Sequence, residues 1–325
     1  MPDPQPKPGE VLVRVKAIGV NFADLMQRMG VYPGVPKPPF IPGLEIAGVV
    51  EKTAEGGRST QPTPLRPGEA VAAISGLKAY AEWIAVPVQQ VYRLPPGMPF
   101  EDAAAMPVNY LTAYHSIVTM GNLQPGDRIL IHGAGGGVGI AAVQLARARG
   151  LVIYGTAGAA KHEYLRKLGV DHLIDHEKTD FVGAVRKFAP DGIEMVMDAT
   201  GGKSFSRSHE CLGPTGRLVI YGFSTAVTPN GKRNLLKALS ALARTRRFHP
   251  LKLMSENIAV IGVSLGGLIS RGTLLQREID QLFQLYADGK IKPLVGKTFP
   301  LAQAAAAHQY IHERKNIGKV LLTMK

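Results

Sequence analysis

Cysteine is almost absent from this chain: Cys211 is the only one in 325 residues. That excludes an internal disulfide framework and any multi-cysteine zinc site, and a lone thiol reads as a small buried apolar residue. No apolar run reaches the roughly 18 residues that a membrane-spanning helix needs, because Gly, Pro or a charge interrupts each one. The opening "MPDPQPKPGE" lacks a basic flank followed by an apolar stretch, so it does not read as a secretory signal. Acidic residues are scarce relative to basic ones, 25 against 38, and the resulting formal charge of +13 favours anionic partners: phosphate-bearing cofactors, acidic membrane surfaces or nucleic acid. Aromatic residues make up 6% and form no interleaved stacking platform, and no nucleic-acid module is recognisable, so no nucleic-acid partner is expected. At 45% hydrophobic and 19% charged the composition is that of a globular protein, expected to be soluble and cytoplasmic. Its length suits two domains of roughly 100 to 200 residues each.

The first hundred residues read mostly as strand and turn. "EVLVRVKAIGV" alternates apolar with charged residues as a half-buried strand does, "AGVVEKT" and "AEWIAVP" are further short strands, and "EGGRSTQPTPLRPGE" between them reads as an exposed loop. From about residue 128 the rhythm changes. Six short apolar runs, "RILIHGA", "LVIYGTA", "DHLIDH", "IEMVMDA", "RLVIYGF" and "NIAVIGVSL", alternate with helical patterns such as "AKHEYLRKLG" and "TDFVGAVRKFA". Such runs indicate parallel strands buried on both faces, hence an α/β doubly wound (Rossmann) sheet. The last 55 or so residues read as two helices and a closing strand that rejoin the first domain.

Where the first run meets its helix stands "GAGGGVG". A strand entering a helix through a glycine turn leaves backbone N–H groups at the positive end of the helix dipole, which suits phosphate. Ala134, Gly136 and Gly139 occupy the three positions of a G-x-G-x-x-G pattern, with Ala in the first, and Gly135, Gly137 and Val138 complete the turn. Gly136 would let a pyrophosphate approach the backbone, and Gly139 would let helix pack on strand. The end of the second run, "YGTAGAAKHEY", carries no acid before Lys161, where an NAD site would have Asp or Glu for the ribose hydroxyls. A neutral turn followed by a lysine suits a 2′-phosphate, so NADPH is the expected cofactor; a solvated surface role for Lys161 is the alternative. Thr156 in this turn and Gly222 in the fifth run join the candidate cofactor set.

With these residues in view, "GDRILIHGAGGGVGIAAVQLAR" resembles the quinone-oxidoreductase signature of the zinc-free medium-chain dehydrogenases/reductases, and the likeness continues through "VNFADLMQRMGVYP", "IPGLEIAGVV", "NYLTAYHS" and "RKNIGKVLL". Through "GKRNLLKAL" and "HPLKLMSEN" it resembles in particular the branch of the vesicle amine transport protein homologues. The resemblance implies a mainly β, GroES-like catalytic domain of residues 1–103 and 269–325 with the nucleotide domain, 104–268, inserted in it. NADPH is then expected at the carboxyl ends of the Rossmann strands, between the domains. Members of the family usually carry a further N-terminal strand before "PKPGEVLVRV", which is expected to be missing here. His176 stands where relatives often have a tyrosine beside the adenosine phosphate; an imidazole can stack there or, protonated, pair with phosphate.

Zinc-dependent relatives place ligands at the positions of Asn21 and Leu44, and neither an amide nor leucine replaces a thiolate or imidazole; Glu45 alone is no zinc site, so no metal is expected. Without a Lewis acid, the acceptors that remain are already electrophilic, namely quinones and α,β-unsaturated carbonyls. The resemblance implies Asn21 and Tyr32 as hydrogen-bond donors to the substrate with Asp24 orienting them, and Asn109 and Thr112 near the nicotinamide. Plain structural roles stay open for each: a turn cap for Asn21, packing for Tyr32, an acid in the first turn of a helix for Asp24, capping or packing for the last two. An apolar sixth strand at the sheet edge needs covering, and the family covers it by pairing with a second subunit, so a homodimer is expected. The alternative function is a membrane-surface or phospholipid-handling protein, peripheral on membranes, drawn from the basic stretch "GKRNLLKALSALARTRRFHPLK". There Leu235, Leu239 and Leu242 recur at helical spacing opposite Arg233, Lys237, Arg244 and Arg247, as suits an anionic lipid surface; a crossover helix with a solvated face is the plainer reading.

Overall fold

The computed structural model describes residues 4–32, 34–54, 63–227, 243, 245 and 247–324. Along the chain the elements are β1 (Glu10–Val20), α1 (Phe22–Arg28), β2 (Glu45–Thr53), β3 (Ala70–Ile74), β4 (Trp83–Pro87), β5 (Val91–Arg93), α2 (Phe100–Ala104), α3 (Pro107–Tyr114), β6 (Arg128–His132), α4 (Gly137–Ala148), β7 (Val152–Ala157), α5 (His162–Leu168) and β8 (His172–Asp175). There follow α6 (Phe181–Phe188), β9 (Ile193–Asp198), α7 (Lys203–Glu210), β10 (Leu212–Ile220), α8 (Pro250–Glu256), β11 (Ala259–Gly262), α9 (Leu265–Leu268), α10 (Gly272–Ala287), β12 (Val295–Pro300), α11 (Ala304–His312) and β13 (Lys319–Thr323). The chain divides into two compact units, Met1–Leu111 with Leu265–Lys325, and Thr112–Ser264.

The first unit is a mixed sheet in the order β12-β13-β1-β2-β3-β5, with β4 also paired to β1. β1 is its axis. Val11, Val13 and Val15 are buried while Arg14 and Lys16 are exposed, the two-residue period that the strand sequence carries. The return of the chain to this unit is written in the register of β13 against β1, where Ala17 faces Thr323 and Val20 faces Val320. The C-terminal segment holds one strand more than its pattern suggested: "VGKTFP" forms β12 parallel to β13, although only its two ends are even half-buried and no alternation marks it.

The second unit is a six-stranded parallel sheet in the order β11-β10-β9-β6-β7-β8. Numbered from its own first strand this is 6-5-4-1-2-3, the doubly wound order, and the six apolar runs supply its six strands. Leu130, Val196 and Leu218 from three adjacent strands are fully buried, with Phe205 of α7 and Val185 of α6 packed into the same core. Local chemistry closes the helices. The Asp180 side chain accepts from the Gly183 N–H at 3.2 Å at the start of α6, and α5 stops at Gly169, whose φ of +98° suits a residue without Cβ. β11 is an edge strand of this sheet. Of the basic amphipathic stretch, Arg247 is described and exposed, while Arg233, Leu235, Lys237, Leu239, Leu242 and Arg244 lie outside the described residues.

Candidate functional site

The glycine turn lies between β6 and α4. Gly133 has a φ of +66°, and its carbonyl accepts from the Gly136 N–H at 2.9 Å, so the chain reverses before the helix begins. The glycines have different reasons to be there. A Cβ on Gly139 would stand 2.3 Å from the Gly133 carbonyl oxygen and 2.7 Å from the Ala134 carbonyl carbon, so only glycine lets α4 start against the turn. A Cβ on Gly136 would meet nothing nearer than that same oxygen, at 3.3 Å. Internal packing therefore presses far less on position 136 than on 139.

One cation borders the turn. The Lys161 stem lies across Gly135, with its Cδ 2.7 Å from where a Cβ would stand. After β8 the exposed His176 brings its ring to 3.9 Å from the corresponding position at Gly158, with the Glu177 carboxylate at 4.0 Å.

Thr156, a candidate cofactor residue, is buried and bonded to the turn itself. Its carbonyl accepts from the Ala134 N–H at 3.0 Å and its hydroxyl from the Gly133 N–H at 3.2 Å, so it clamps the turn. Behind it lies a buried chain that sequence spacing did not reveal. The Ser208 and Ser204 hydroxyls both donate to Asp198 Oδ2 at 2.7 Å, and the Thr200 N–H donates to Oδ1 at 2.6 Å. Ser208 has spent its proton, so His132 Nε2–H must donate to it (3.0 Å), which leaves Nδ1 to accept from the Thr156 hydroxyl (3.2 Å). Burial holds the His132 imidazole below its ordinary pKa against the opposing pull of Asp198, in keeping with this neutral tautomer. The chain ties the carboxyl ends of β6, β7 and β9 together under the turn. Gly222 lies against Ala199, where a Cβ would come within 2.8 Å of the alanine Cβ.

In the first unit a second polar network is buried. Asn21 precedes α1 in extended backbone, and its N–H donates to Asp24 Oδ2 at 2.8 Å. Its side chain is fully engaged: Nδ2 donates to Glu45 Oε1 at 2.7 Å and to the Gly19 carbonyl at 3.3 Å, while Oδ1 accepts from Lys319 Nζ at 2.7 Å. The Asn21 amide is thus committed to internal partners rather than presented as a donor. Lys319 also pairs with Glu45, and the second Glu45 oxygen accepts from the Val108 N–H at 2.6 Å at the head of α3, the helix that carries the buried Asn109 and Thr112. Asp24 continues the network from the same oxygen. Its Oδ2 also accepts from the Tyr80 hydroxyl at 3.1 Å, and that hydroxyl is 2.8 Å from His308 Nε2.

Burial dominates the electrostatics. It pushes the Asp24 carboxyl up to about 7, although the Asn21 N–H, Lys319 and Tyr80 all pull it down. Burial, with a smaller contribution from Arg28, brings His308 down to about 4. Tyr80 is held well above its usual value by burial and by the Asp24 charge, and the half-buried Tyr32 is raised by the same two causes. Sequence reasoning brought Asn21, Asp24 and Tyr32 together and noted Glu45. It missed Lys319, Tyr80 and His308, of which Lys319 alone left a trace, as a lone charge heading the apolar run "KVLL".

Comparison with known proteins places both units. Residues 7–96 match the alcohol dehydrogenase GroES-like domain and residues 168–322 match the zinc-binding dehydrogenase family. The synaptic vesicle membrane protein VAT-1 homolog of Rattus norvegicus is 42% identical over 324 residues, 98% of this chain and 78% of the relative. The quinone oxidoreductase of Homo sapiens is 29% identical over 325 residues, 99% of this chain and 91% of the relative. The crystal structure of the Escherichia coli quinone oxidoreductase complexed with NADPH superposes with a TM-score of 0.86 at 29% identity, covering 99% of this chain and 94% of that one. With a GroES-like domain, a Rossmann sheet and full-length similarity of this extent, the chain belongs to the quinone oxidoreductase family of medium-chain dehydrogenases/reductases, in the branch of the VAT-1 homologues.

Proposed function

We propose that this chain is an NADPH-dependent reductase that transfers hydride to a quinone or an α,β-unsaturated carbonyl without zinc. The observation that carries the reading is the turn at Gly135–Gly139 with Lys161 lying across it: a backbone open to an outside group at Gly136, at a helix N-terminus, bordered by Lys161. A pyrophosphate fits the turn, and a 2′-phosphate fits the Lys161 ammonium, with the exposed His176 imidazole and the Glu177 carboxylate beside Gly158. NADPH, when bound, supplies the hydride; binding, orientation and the proton fall to the chain's own side chains.

The donor set at Asn21, Leu44 and Glu45 does not fit zinc. Leu44 offers no ligand atom, the Asn21 oxygen already accepts from an ammonium, and the Glu45 carboxylate is paired with that same ammonium. A divalent ion there would have to displace a buried cation. Negative charge developing on the acceptor is therefore met by hydrogen-bond donors, of which the half-buried Tyr32, kept protonated by its environment, is the one we assign. The test is NADPH oxidation against a panel of quinones, enones and enoyl thioesters, with and without a chelator. Turnover on a quinone or enone, indifferent to chelation, is expected; zinc-dependent turnover, or none, overturns the reading.

β11 supports a homodimer. Among the described residues it pairs only with β10, and it leaves its other edge to a second copy of the chain; a monomeric sedimentation coefficient refutes this.

A second reading is favoured by one observation. On α8, Leu251 and Met254 are 64% and 70% exposed, three residues apart, with Lys252 between them and Arg247 just before. No helix among the described residues is long and apolar enough to cross a membrane, but this face suits shallow contact with an anionic surface. Salt-sensitive co-sedimentation with phosphatidylserine vesicles, lost in Leu251→Ser/Met254→Ser, supports it, and indifference to vesicles removes it.

A further inference from the structure

Asp24, Tyr80 and His308 lie in a line from the N-terminal turn of α1 to the middle of α11, and capping α1 needs only the first of them. Tyr80 is held with some care. Its ring lies where Gly43 has no side chain, a Cβ there standing 2.4 Å from Tyr80 Cδ1, and it meets the His308 ring edge-on with centroids 5.6 Å apart at 76°. Its hydroxyl carries one proton and faces two groups that can each hold or release one. We propose that these three residues form a proton relay, in which a proton taken up by the His308 imidazole passes through the Tyr80 hydroxyl to the Asp24 carboxylate.

Donor and acceptor bookkeeping allows two states of the same chain. With Asp24 ionised, Tyr80 donates to Oδ2 and His308 donates to Tyr80 from Nε2–H. With Asp24 protonated on Oδ2, it donates to Tyr80, Tyr80 donates to Nε2, and His308 carries its proton on Nδ1. The states differ by one proton and by the imidazole tautomer, and in neither is a charge left on His308 or Tyr80. The surroundings poise the exchange. Asp24 faces Lys319 from β13, Glu45 from β2, Tyr80 and Tyr32, and its carboxyl titrates at about 7, while His308 faces Arg28 of α1 and stays neutral down to about 4.

The purpose of the relay rests on the reductase reading. Once hydride has bonded to the β-carbon and the π pair has moved to oxygen as an enolate, the enolate needs one proton, which Asp24 gives up. The chain then turns: the Tyr80 O–H swings from Nε2 to Asp24 and His308 exchanges its Nδ1–H for an Nε2–H with solvent, with no net proton gained. The Tyr80 O–H reprotonates Asp24, the Nε2–H reprotonates Tyr80, and water supplies Nδ1, so one solvent proton is consumed per hydride.

The decisive measurement needs no turnover. In cofactor-free protein with ¹⁵N-labelled histidine, with the His308 resonances assigned by their loss in His308→Asn, the imidazole should exchange its Nε2–H for its Nδ1–H tautomer as pH falls through about 7, without becoming imidazolium. In Tyr80→Phe, which keeps the ring against Gly43, the tautomer should no longer follow pH. A His308 tautomer that stays fixed in the unmodified protein across about pH 5 to 9 overturns the relay, whether or not Tyr80→Phe folds. In turnover, Tyr80→Phe should lower kcat by about a hundredfold, the usual worth of a positioned acid, and enlarge the solvent isotope effect while leaving the KM for NADPH unchanged. Unaltered kcat and isotope effect in Tyr80→Phe, in a protein that reduces enones, defeats the relay and leaves the reductase standing. The tautomer exchange in a protein that reduces no acceptor supports the relay and defeats the reductase.

Discussion

Removing the Lys319 ammonium tests the buried polar network of the first unit most directly. In Lys319→Met the methionine fills the same channel, but Glu45, whose side chain is 0% exposed, loses its counter-charge. Stripping one partner from a buried ion pair costs about 3 to 5 kcal/mol, because the remaining charge is left in a low dielectric. Here Glu45 keeps the Asn21 amide at 2.7 Å and the Val108 N–H at 2.6 Å, so the lower end applies, about 3 kcal/mol. With a urea dependence of about 2 kcal/mol per molar, the midpoint should fall by about 1.5 M. The assay is built into the chain: its single tryptophan, Trp83, lies in β4 against β1 and reports the first unit alone. The double variant Lys319→Met/Glu45→Gln should regain at least half of the loss, since a neutral amide can accept from Val108 and donate to a turned Asn21. A midpoint shift under about 0.3 M, or a double variant no more stable than the single, would show that the pair does not hold this unit as argued.

Lys161→Ala should weaken NADPH about ten- to a hundredfold in a fluorescence titration and leave NADH almost unchanged, since one charged phosphate contact contributes about 1.5 to 3 kcal/mol; equal losses for both cofactors would remove the 2′-phosphate assignment. Gly139→Ala should destabilise the second unit by about 2 to 3 kcal/mol through its clash with the Gly133 carbonyl, whereas Gly136→Ala should stay within about 1 kcal/mol of the unmodified protein and yet bind NADPH poorly. Thermal shifts with and without NADPH separate the two, and equal behaviour would refute the division of labour. Because burial raises Asp24 from an ordinary 3.8 to about 7, the folded state holds this proton longer than the unfolded chain, so the carboxyl costs the first unit stability as pH rises from about 4 to 7. Asp24→Asn should therefore gain on the unmodified protein over that range in Trp83-monitored unfolding; a difference independent of pH would contradict the raised value.

The sequence by itself determined the elements whose physics is local. Six apolar runs became six parallel strands because the inner strands, buried on both faces, tolerate no polar break, and "GAGGGVG" marked the start of α4 because only glycine tolerates the approach of helix to turn at Gly139. β12 was not legible, since "VGKTFP" is mostly exposed and is a strand only because β13 lies beside it. The glycine turn could be located, but not what Thr156 does there: its hydroxyl bonds the turn and His132, a choice made by Gly133, Ser208 and Asp198 together. In the first unit the family resemblance implied Asn21 as a donor to substrate, a role its two amide N–H groups allow. Only the tertiary structure decided that these go to Glu45 and Gly19, and that the oxygen goes to Lys319, 298 residues further on. Hydrogen-bonding capacity is a property of the residue and can be read from the sequence; which partner uses it is settled by packing, because a buried polar group can bond only to what the fold brings beside it.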